Sequence, residues 1–264
     1  MEIKCVVFDI DGTLITLKGH RLLDSTVTSI QQLQEKGIKV AVATGRPFYA
    51  IEKRIMERIT FDYFICSNGV VVYDQSNRSN LFQYEIDESL IGQYTQLSEI
   101  TNSALMFQFS DASYVYHGYN RLLDMINETT GKPEHLRRAL DQKRHRESLP
   151  NAIISNIADE HFHCFQQAFP QFQFIPFMSE FYDVLPRHLS KFSGIEQICK
   201  VLNLEIQQVM AFGDALNDLV MIENVGVGIA MGDAIREVRS KADYVTRTSG
   251  EAGIYHALRH YQLI

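Results

Sequence analysis

The chain has 264 residues, 45% of them hydrophobic and 22% charged, which is long enough for one large or two small domains with a substantial core. Its net charge of -7, without a basic stripe, argues against nucleic acid as a partner. No segment approaches the roughly 18 to 20 apolar residues of a membrane span, and the N-terminus lacks a signal peptide's apolar stretch. The four cysteines are scattered, so we expect a cytoplasmic protein with reduced thiols.

The first part of the chain alternates between predicted strands and helices. Three short apolar runs predict buried strands, at residues 4–8, 38–43 and 63–66. The two segments between them have apolar residues at helical spacing, namely Val27, Ile30 and Leu33, then Ile51, Ile55 and Ile59. Gly37 is placed to end the first helix. This order predicts a parallel sheet with right-handed crossovers.

The middle of the chain, from about Leu81, is richer in Gln, Ser, Asn and Phe and has the pattern of a separate α+β segment. Helices are predicted near residues 88–99 and 119–127, and strands at 104–109, 152–157, 172–175 and 181–185. The charged run from Lys132 to Arg146 is expected to be a solvated helix or connection instead of a binding patch.

After Pro186 the alternation resumes. A helix carries Ile195, Ile198 and Leu202 on one face, and its start is predicted at Ser193 by an S-x-x-E pattern, or else at Ser190. Further strands are predicted at 208–212, 225–230 and 244–245, with helices near 216–222 and 235–241 and at the C-terminus. An α/β core, residues 1–80 and 183–264, is therefore expected to be split by an insertion at 81–182.

Polar residues follow the predicted core strands, at the edge where open parallel sheets bind ligands. These residues are Asp9, Asp11, Gly12 and Thr13; Thr44, Gly45 and Arg46; Ser67, Asn68 and Gly69; Gly213 and Asp214; and, one turn later, Asn217 and Asp218. Lys191 precedes a helix of the second half. The topology predicts that most of these residues meet at one edge of the sheet.

The set has the chemistry of phosphoryl transfer. Three carboxylates, those of Asp9, Asp11 and Asp214, are the hard oxygen ligands that Mg2+ takes. We expect the backbone N–H groups of Thr44 and Gly45 to be available for phosphate oxygens, and Lys191 supplies a point charge. Each piece alone has an ordinary explanation as a surface acid, a turn or a helix cap. The inference rests on all of them occurring in order at strand ends and helix starts.

Asp9 and Asp11 are separated by one residue, so in an extended segment they point to the same side. One carboxylate can then attack phosphorus and form an aspartyl-phosphate. Its neighbour can protonate the leaving oxygen and afterwards activate water. This division of labour is a reason for placing two acids where a buried strand ends.

The stretches FDIDGTL, ATGR, SNG, SKFSGIEQI and FGDALNDLVMI resemble successive motifs of the haloacid dehalogenase-like (HAD) superfamily. More narrowly, they resemble the Cof-type hydrolases, which dephosphorylate sugar phosphates and related small phosphates. The resemblance covers both core halves and implies an α/β fold, a Rossmann-like parallel-sheet core with an inserted α+β cap domain that sets substrate specificity. It implies a Mg2+-dependent phosphatase of small phosphorylated metabolites, a monomer or small homo-oligomer without membrane or nucleic-acid partners.

The resemblance also implies a role for each matching residue. Asp9 would be the nucleophile and a Mg2+ ligand, and Asp11 the general acid/base, with its backbone carbonyl on the metal. Asp214 would be the third protein ligand, supported by Asp218. The phosphoryl group would be held by Ile10 through its N–H, Thr44, Gly45, Lys191 and Asn217.

Three stretches depart from the pattern without removing a catalytic atom: Ala215-Leu216 replaces a small-polar pair, Asp233 stands where Asn is commoner, and Gly250–Ile254 (GEAGI) replaces an Asp-Gly-Val segment. Asp233 adds a negative charge near the site. A cluster of polar and aromatic residues lies near the predicted return from the insertion to the core. We expect these residues to belong to the insertion's core and hinge instead of contacting a sugar: Phe177, Met178, Glu180, Tyr182 and Asp183.

Two other functions stay open at this stage. A phosphomutase would return the phosphoryl group to substrate instead of water. A phosphate-responsive binding module, such as a receiver-like domain, is disfavoured by the long insertion and by the Asp9–Asp11 spacing. Among substrates, a hexose or pentose phosphate is the first candidate, and pyridoxal phosphate, flavin mononucleotide and similar metabolites remain alternatives.

Overall fold

The structure is a computed structural model that describes residues 2–129, 131 and 133–264. The chain forms two units, each with its own sheet. The first unit comprises Met1–Gly45, Ile51–Phe82 and Leu189–Ile264, and the second comprises Arg46–Ala50 and Gln83–His188. Among the described residues, no helix has the length and apolar character needed to cross a membrane.

The N-terminal half of the first unit contains the three predicted strands. Its elements are β1 (Cys5–Phe8), α1 (Asp24–Glu35), β2 (Lys39–Ala43), α2 (Lys53–Met56), β3 (Tyr63–Cys66), β4 (Val71–Asp74) and β5 (Ser79–Gln83). Helix α2 is a single turn, although Ile51, Ile55 and Ile59 are all buried as their spacing predicted. Strands β4 and β5 were not predicted: β4 has four residues, and β5 has a mixed sequence without a buried residue.

The second unit is an α+β layer built on a six-stranded sheet. Its elements are α3 (Glu88–Ile100), β6 (Ala104–Gln108), β7 (Ser113–His117), α4 (Tyr119–Thr129), β8 (Leu136–Arg138), β9 (Ala152–Asn156), α5 (Asp159–Ala168), β10 (Phe172–Met178) and β11 (Phe181–Pro186). The strand order is β10-β11-β9-β6-β7-β8, antiparallel except for the β7–β8 pair. The buried Tyr94 packs on Phe165 and Phe169, with ring centroids 5.2 and 4.7 Å away.

The charged run after α4 differs from its prediction. Lys132 lies outside the described residues. The rest has 3-10 helices at Pro133–His135 and Arg144–Arg146, and between them Leu136–Arg138 pairs with β7 as an edge strand. Leu136 is buried while the next two residues are exposed. A single apolar anchor in a basic segment has no periodicity to detect, so only the pairing with β7 defines this strand.

The remaining elements return to the first unit. They are α6 (Lys191–Leu202), β12 (Val209–Gly213), α7 (Leu219–Asn224), β13 (Val227–Ala230), α8 (Arg236–Lys241), β14 (Tyr244–Val245) and α9 (Gly253–His260). The first unit's described residues form an eight-stranded sheet in the order β14-β13-β12-β1-β2-β3-β4-β5. Strands β14 to β3 are parallel and β4 is antiparallel to β3, so the predicted α/β architecture is confirmed.

The units differ in two places from the predicted division at 81–182. Strand β11 pairs with β10 along its length and with β9 over Phe181–Val184, and the second unit extends to His188. The segment Arg46–Ala50 also belongs to it: the Tyr49 hydroxyl lies 2.8 Å from the Ser113 hydroxyl, and its ring 5.2 Å from His135. A change in composition marks the insertion approximately, but strand pairing sets its limits.

Helix α6 begins at Lys191 with Ser190 as its N-cap, which resolves the two alternatives left by the sequence. The Ser190 hydroxyl accepts a hydrogen bond from Ser193 N at 3.3 Å, and Ser193 Oγ accepts one from Ser190 N at 2.9 Å. The prediction that the S-x-x-E pattern caps the helix at Ser193 was wrong. The reciprocal Ser–Ser pair satisfies two backbone donors at the start of the helix, those of Ser190 and Ser193.

We expect Ser190→Ala to lower the free energy of unfolding of the first unit by about 1 kcal/mol, because it removes this cap. Urea denaturation followed by circular dichroism measures the change. The matched control is Ser240→Ala on α8, whose hydroxyl donates only to Glu237 O within its own helix. If both variants shift the urea midpoint equally, Ser190 is not the functional cap.

Candidate active site

The site is built where the sheet reverses its strand order. The chain runs from β1 to β2 and β3 on one side, whereas β12, β13 and β14 lie on the other, so β1 and β12 flank a topological switch point. Phe8 and Phe212 are register partners at the ends of these strands, and their rings stack at 5.0 Å. Asp9 N donates to Phe212 O at 3.0 Å. The residues that follow, Asp9 and Asp214, are thus brought to one edge, as predicted.

A buried lysine joins two of the carboxylates. Lys191 Nζ lies 2.6 Å from Asp9 Oδ1 and 2.6 Å from Asp218 Oδ1. The lysine and Asp218 are fully buried, and Asp9 is 6% exposed. In this water-poor surrounding the pairs are charge-assisted hydrogen bonds, which fix the ammonium between the two strands' loops.

Asp218 uses its second oxygen on the loop that carries Asp214. Its Oδ2 accepts from Asp214 N at 2.8 Å and from Ala215 N at 3.0 Å. Both carboxylate oxygens of Asp218 are therefore engaged by the protein, which suits a residue that holds the loop and the lysine. The departure at Ala215 leaves this contact intact because the bond uses the backbone.

The turn after β1 closes against Asp214. Thr13 Oγ1 donates to Asp214 Oδ1 at 3.0 Å. Gly12 has φ 85°, and a Cβ at this position would overlap the Asp214 carboxylate, so glycine is required by both conformation and space. Sequence reasoning assigned Thr13 only to a turn. The one feature of the sequence that could have indicated this contact is the position of Thr13, directly after Asp11-Gly12 at the end of a strand.

A second turn, Ser67–Gly69, supports the lysine and Asn217. All three of its residues have left-handed φ values, between 46° and 97°. A Cβ on Gly69 would overlap the Ser190 carbonyl oxygen, so the turn lies against the start of α6. Asn217 Nδ2 donates to Asn68 Oδ1 at 2.9 Å. The sequence prediction of an ordinary turn missed this support, because the contacts come from residues distant in the chain.

The Thr44 backbone corrects one expectation. Its N–H donates to Ile65 O at 2.8 Å and its carbonyl accepts from Asn68 N at 2.9 Å, which continues the β2–β3 pairing. This N–H is therefore not available for phosphate, and a role of Thr44 there would fall to its hydroxyl. The Ile10 side chain is fully buried, and its carbonyl accepts from Thr13 N and Ile15 N.

The carboxylates of this site carry more negative charge than Lys191 neutralises. Asp9, Asp214 and Asp218 each place an oxygen within 4.8 Å of the others, and Asp11, by contrast, is exposed. Burial raises the pKa of Asp9 well above its ordinary value, the neighbouring acids raise it further, and only Lys191 opposes them. Burial and Asp218 raise the pKa of Asp214 to about 7, against the hydrogen bond from Thr13.

The lysine responds in the opposite sense. Burial by itself lowers the pKa of Lys191, but the attraction and hydrogen bonds of Asp218 and Asp9 outweigh it, so the pKa lies above its ordinary value. The ammonium is thus charged at neutral pH, whereas the adjacent acids bind protons more tightly than usual. Three ionised carboxylates against one ammonium leave two negative charges uncompensated, and such hard oxygen ligands fit a divalent cation such as Mg2+.

Comparison with known proteins decides the family. A family model described as haloacid dehalogenase-like hydrolase matches residues 6–258. The chain belongs to the haloacid dehalogenase-like hydrolases. The resemblance stated from the motifs is thereby confirmed, and the protein is an enzyme, a phosphatase of small substrates.

Individual relatives cover the whole chain. YkrA of Bacillus subtilis (strain 168) is 30% identical over 268 residues, which cover 100% of both proteins. The 5-amino-6-(5-phospho-D-ribitylamino)uracil phosphatase YcsE of the same strain is 25% identical over 264 residues, which cover 100% of this chain and 97% of YcsE. The structure of the HAD subclass IIB sugar phosphatase BT4131 matches with a TM-score of 0.87 and 25% identity, covering 99% of this chain and 100% of BT4131.

The raised pKa of Asp214 predicts that stabilisation by Mg2+ grows with pH. In the metal-free protein the folded state binds this proton more tightly than the unfolded state, so stability falls as pH rises from about 4 towards 7. A cation must displace the same proton. We therefore expect Mg2+ to raise the melting temperature more at about pH 8 than at about pH 5.5. Equal shifts at both pH values would contradict the assignment, and Asp214→Asn should make the difference smaller, because only the raised pKa of Asp9 then remains.

Proposed function

We propose that this hydrolase is a Mg2+-dependent phosphatase that acts on small phosphomonoesters, sugar phosphates first among them, through an aspartyl-phosphate on Asp9. The observation that carries the proposal is the position of Lys191, fully buried and 2.6 Å from both Asp9 and Asp218. A cation fixed beside a carboxylate is useful when an anionic group must approach that carboxylate.

Asp9 is the proposed nucleophile. Its Oδ2 would attack the phosphorus of the substrate, forming an acyl-phosphate bond while the bond from phosphorus to the leaving oxygen breaks. Lys191 pairs with Oδ1, the other oxygen of the same carboxylate, so it orients Asp9 and lies next to the charge of the transferring group. Attack requires the ionised form of Asp9, which the lysine favours against the effect of burial.

Asp11 is the proposed general acid and base. It follows Asp9 by two residues, and the turn brings its backbone beside Ile15 as an isolated bridge. Its exposed side chain is the candidate to give a proton to the leaving alkoxide, and then to take one from the water that attacks phosphorus. That second attack breaks the acyl-phosphate bond, releases inorganic phosphate and restores Asp9.

Mg2+ would be held by Asp9, Asp214 and the backbone carbonyl of Asp11. When bound, it would neutralise negative charge on the phosphoryl group. Thr13 and Asp218 hold Asp214 in place through its carboxylate and its backbone N–H.

The phosphoryl group itself would be held by groups around Asp9. We propose the Ile10 N–H, the Thr44 hydroxyl, Gly45, Lys191 and Asn217 for this role. The Asn217 amide is already oriented by Asn68 at 2.9 Å, so the turn Ser67–Gly69 acts on the substrate through Asn217.

Two relatives support a phosphorylated sugar or sugar-alcohol substrate. BT4131 is described as a sugar phosphatase, and the substrate named for YcsE has its phosphate on a ribityl chain. We expect the choice among such substrates to be determined in the second unit. There Tyr182 is core, stacked on Phe162 at 4.6 Å, whereas Phe177 is 40% exposed near the β10–β11 turn.

Asp9→Asn is expected to reduce hydrolysis of p-nitrophenyl phosphate with Mg2+ at least about a thousandfold while the protein stays folded, because an amide is a poor nucleophile. The matched control is Asp74→Asn in the same unit, which removes another buried carboxylate, 2% exposed, that binds Ser76 N at 2.8 Å. We expect this control to lose stability and keep activity. Retained activity in Asp9→Asn would overturn the nucleophile assignment.

Asp11→Asn should separate the two steps. p-Nitrophenolate leaves without a proton, so a stoichiometric burst of p-nitrophenolate should survive, while steady-state phosphate release falls about a hundredfold or more. With a sugar phosphate, whose alkoxide needs a proton, no burst of the free sugar is expected. Equal losses in burst and steady state for both substrates would contradict the proton-transfer role.

A panel of sugar phosphates, nucleotides and phosphorylated cofactors, assayed for kcat/KM by release of inorganic phosphate, tests the substrate class. Formation of an isomeric phosphate without release of inorganic phosphate would indicate a phosphomutase instead.

A further inference from the structure

Asp233, the residue that departs from the common Asn, binds a second loop of the first unit. It lies in the turn between β13 and α8. Its Oδ1 accepts from Ser249 N at 3.1 Å, and its Oδ2 accepts from Ser249 Oγ at 2.9 Å. Ser249 is 4% exposed and Asp233 is partly exposed, so these bonds form at a partly buried position. One carboxylate thus fixes both the backbone and the hydroxyl of a single serine.

The same serine also binds the segment that follows β1. Ser249 Oγ accepts a hydrogen bond from Leu17 N at 3.1 Å. An ionised carboxylate only accepts, so the serine hydroxyl must donate to Asp233 and present a lone pair to Leu17. The Leu17 side chain is 52% exposed, and its backbone N–H is the group that binds Ser249. We call the hydrogen-bonded series Asp233–Ser249–Leu17 the serine relay.

Leu17 lies just after the turn that carries the acid/base candidate. Within this turn Gly12 N donates to Ile15 O at 2.9 Å, and Ile15 N donates to Ile10 O at 2.8 Å. Leu17 follows Ile15 by two residues, so the chain connects it directly to the turn that holds Asp11 and Thr13.

The other end of the relay is attached to the site as well. Ile235, two residues after Asp233, donates its N–H to Asp214 O at 2.9 Å. Asp214 in turn accepts from Thr13 Oγ1, which lies in the same turn as Asp11. The serine relay therefore closes a ring of contacts around the two loops that carry Asp11 and Asp214.

We propose that Asp233 is a positioning residue for phosphoryl transfer: through Ser249 it holds Leu17 and with it the turn that orients Asp11. This role rests on the proposed function of Asp11. The proposed role also explains why an aspartate suits position 233. An Asn at 233 would place an amide N–H against Ser249 Oγ. The serine hydroxyl would then lose its acceptor, so the relay would be weaker but not lost.

Hydrogen exchange tests the relay without any assay of activity. Asp233→Ala and Ser249→Ala should speed exchange of the Leu17 amide about tenfold or more in the native protein, because each removes its ordered acceptor or the orientation of that acceptor. The control is Asp243→Ala, which removes a carboxylate that accepts from Gly228 N at 2.7 Å in the same unit. Unchanged exchange at Leu17 in the two relay variants would overturn the proposal.

Kinetics test the consequence for catalysis. We expect Asp233→Ala to lower kcat for a sugar phosphate about tenfold with KM within about twofold, because proton transfer is affected and phosphate binding is not. Asp233→Asn should recover part of the loss. The double variant Asp233→Ala/Ser249→Ala should be no worse than the poorer single variant, since the residues act in series.

Additive losses, or a fall in kcat equal to that of Asp243→Ala, would show that Asp233 does not act through Ser249. The outcomes for the two proposals are distinguishable. A wild-type protein that hydrolyses no phosphomonoester would contradict the proposed function, whereas an active wild-type with unaffected relay variants would contradict only the role of Asp233.

Discussion

The burial of one ammonium among several carboxylates is the constraint on which the rest of the site depends. Lys191 is fully buried and bonded to Asp9 and Asp218 at 2.6 Å each. Such groups are costly to remove from water and are tolerated when each charge is paired and hydrogen-bonded. The third acid, Asp214, adds a charge that the lysine does not neutralise. The site therefore has an excess of negative charge, which favours binding of a cation, and a bound cation in turn favours binding of a phosphate.

Much of the surrounding chain serves to hold these charges. The Ser190 cap and the turn Ser67–Gly69 fix the start of α6 and hence the lysine, while Asp218 ties the lysine to the Asp214 loop. Thr13 ties that loop to the turn after β1. Because each support comes from a different segment of the first unit, the geometry depends on the parallel sheet that brings the segments to one edge.

The parts of the fold that the sequence predicted well are those with a strong local pattern. Apolar runs gave the strands around the switch point, and spacing gave helices α1, α3, α4 and α6 to within a few residues. The missed elements β4, β5, β7 and β8 and helix α5 have polar or mixed sequences, and their stability comes from neighbours in the sheet or core. The sequence left the cap of α6 open between Ser193 and Ser190, because two serines three residues apart satisfy similar local rules.

The candidate site shows the same division. The sequence by itself determined which acids, lysine and small residues are present and that they stand at strand ends, because the βαβ pattern requires those ends to share an edge. Only the tertiary structure decided how they pair. It joined Lys191 to Asp9 and Asp218, gave Thr13 and Asn68 their roles, used the Thr44 N–H within the sheet, and connected Asp233 to Leu17 through Ser249. These contacts join residues far apart in the chain, and no local pattern encodes their distance or direction.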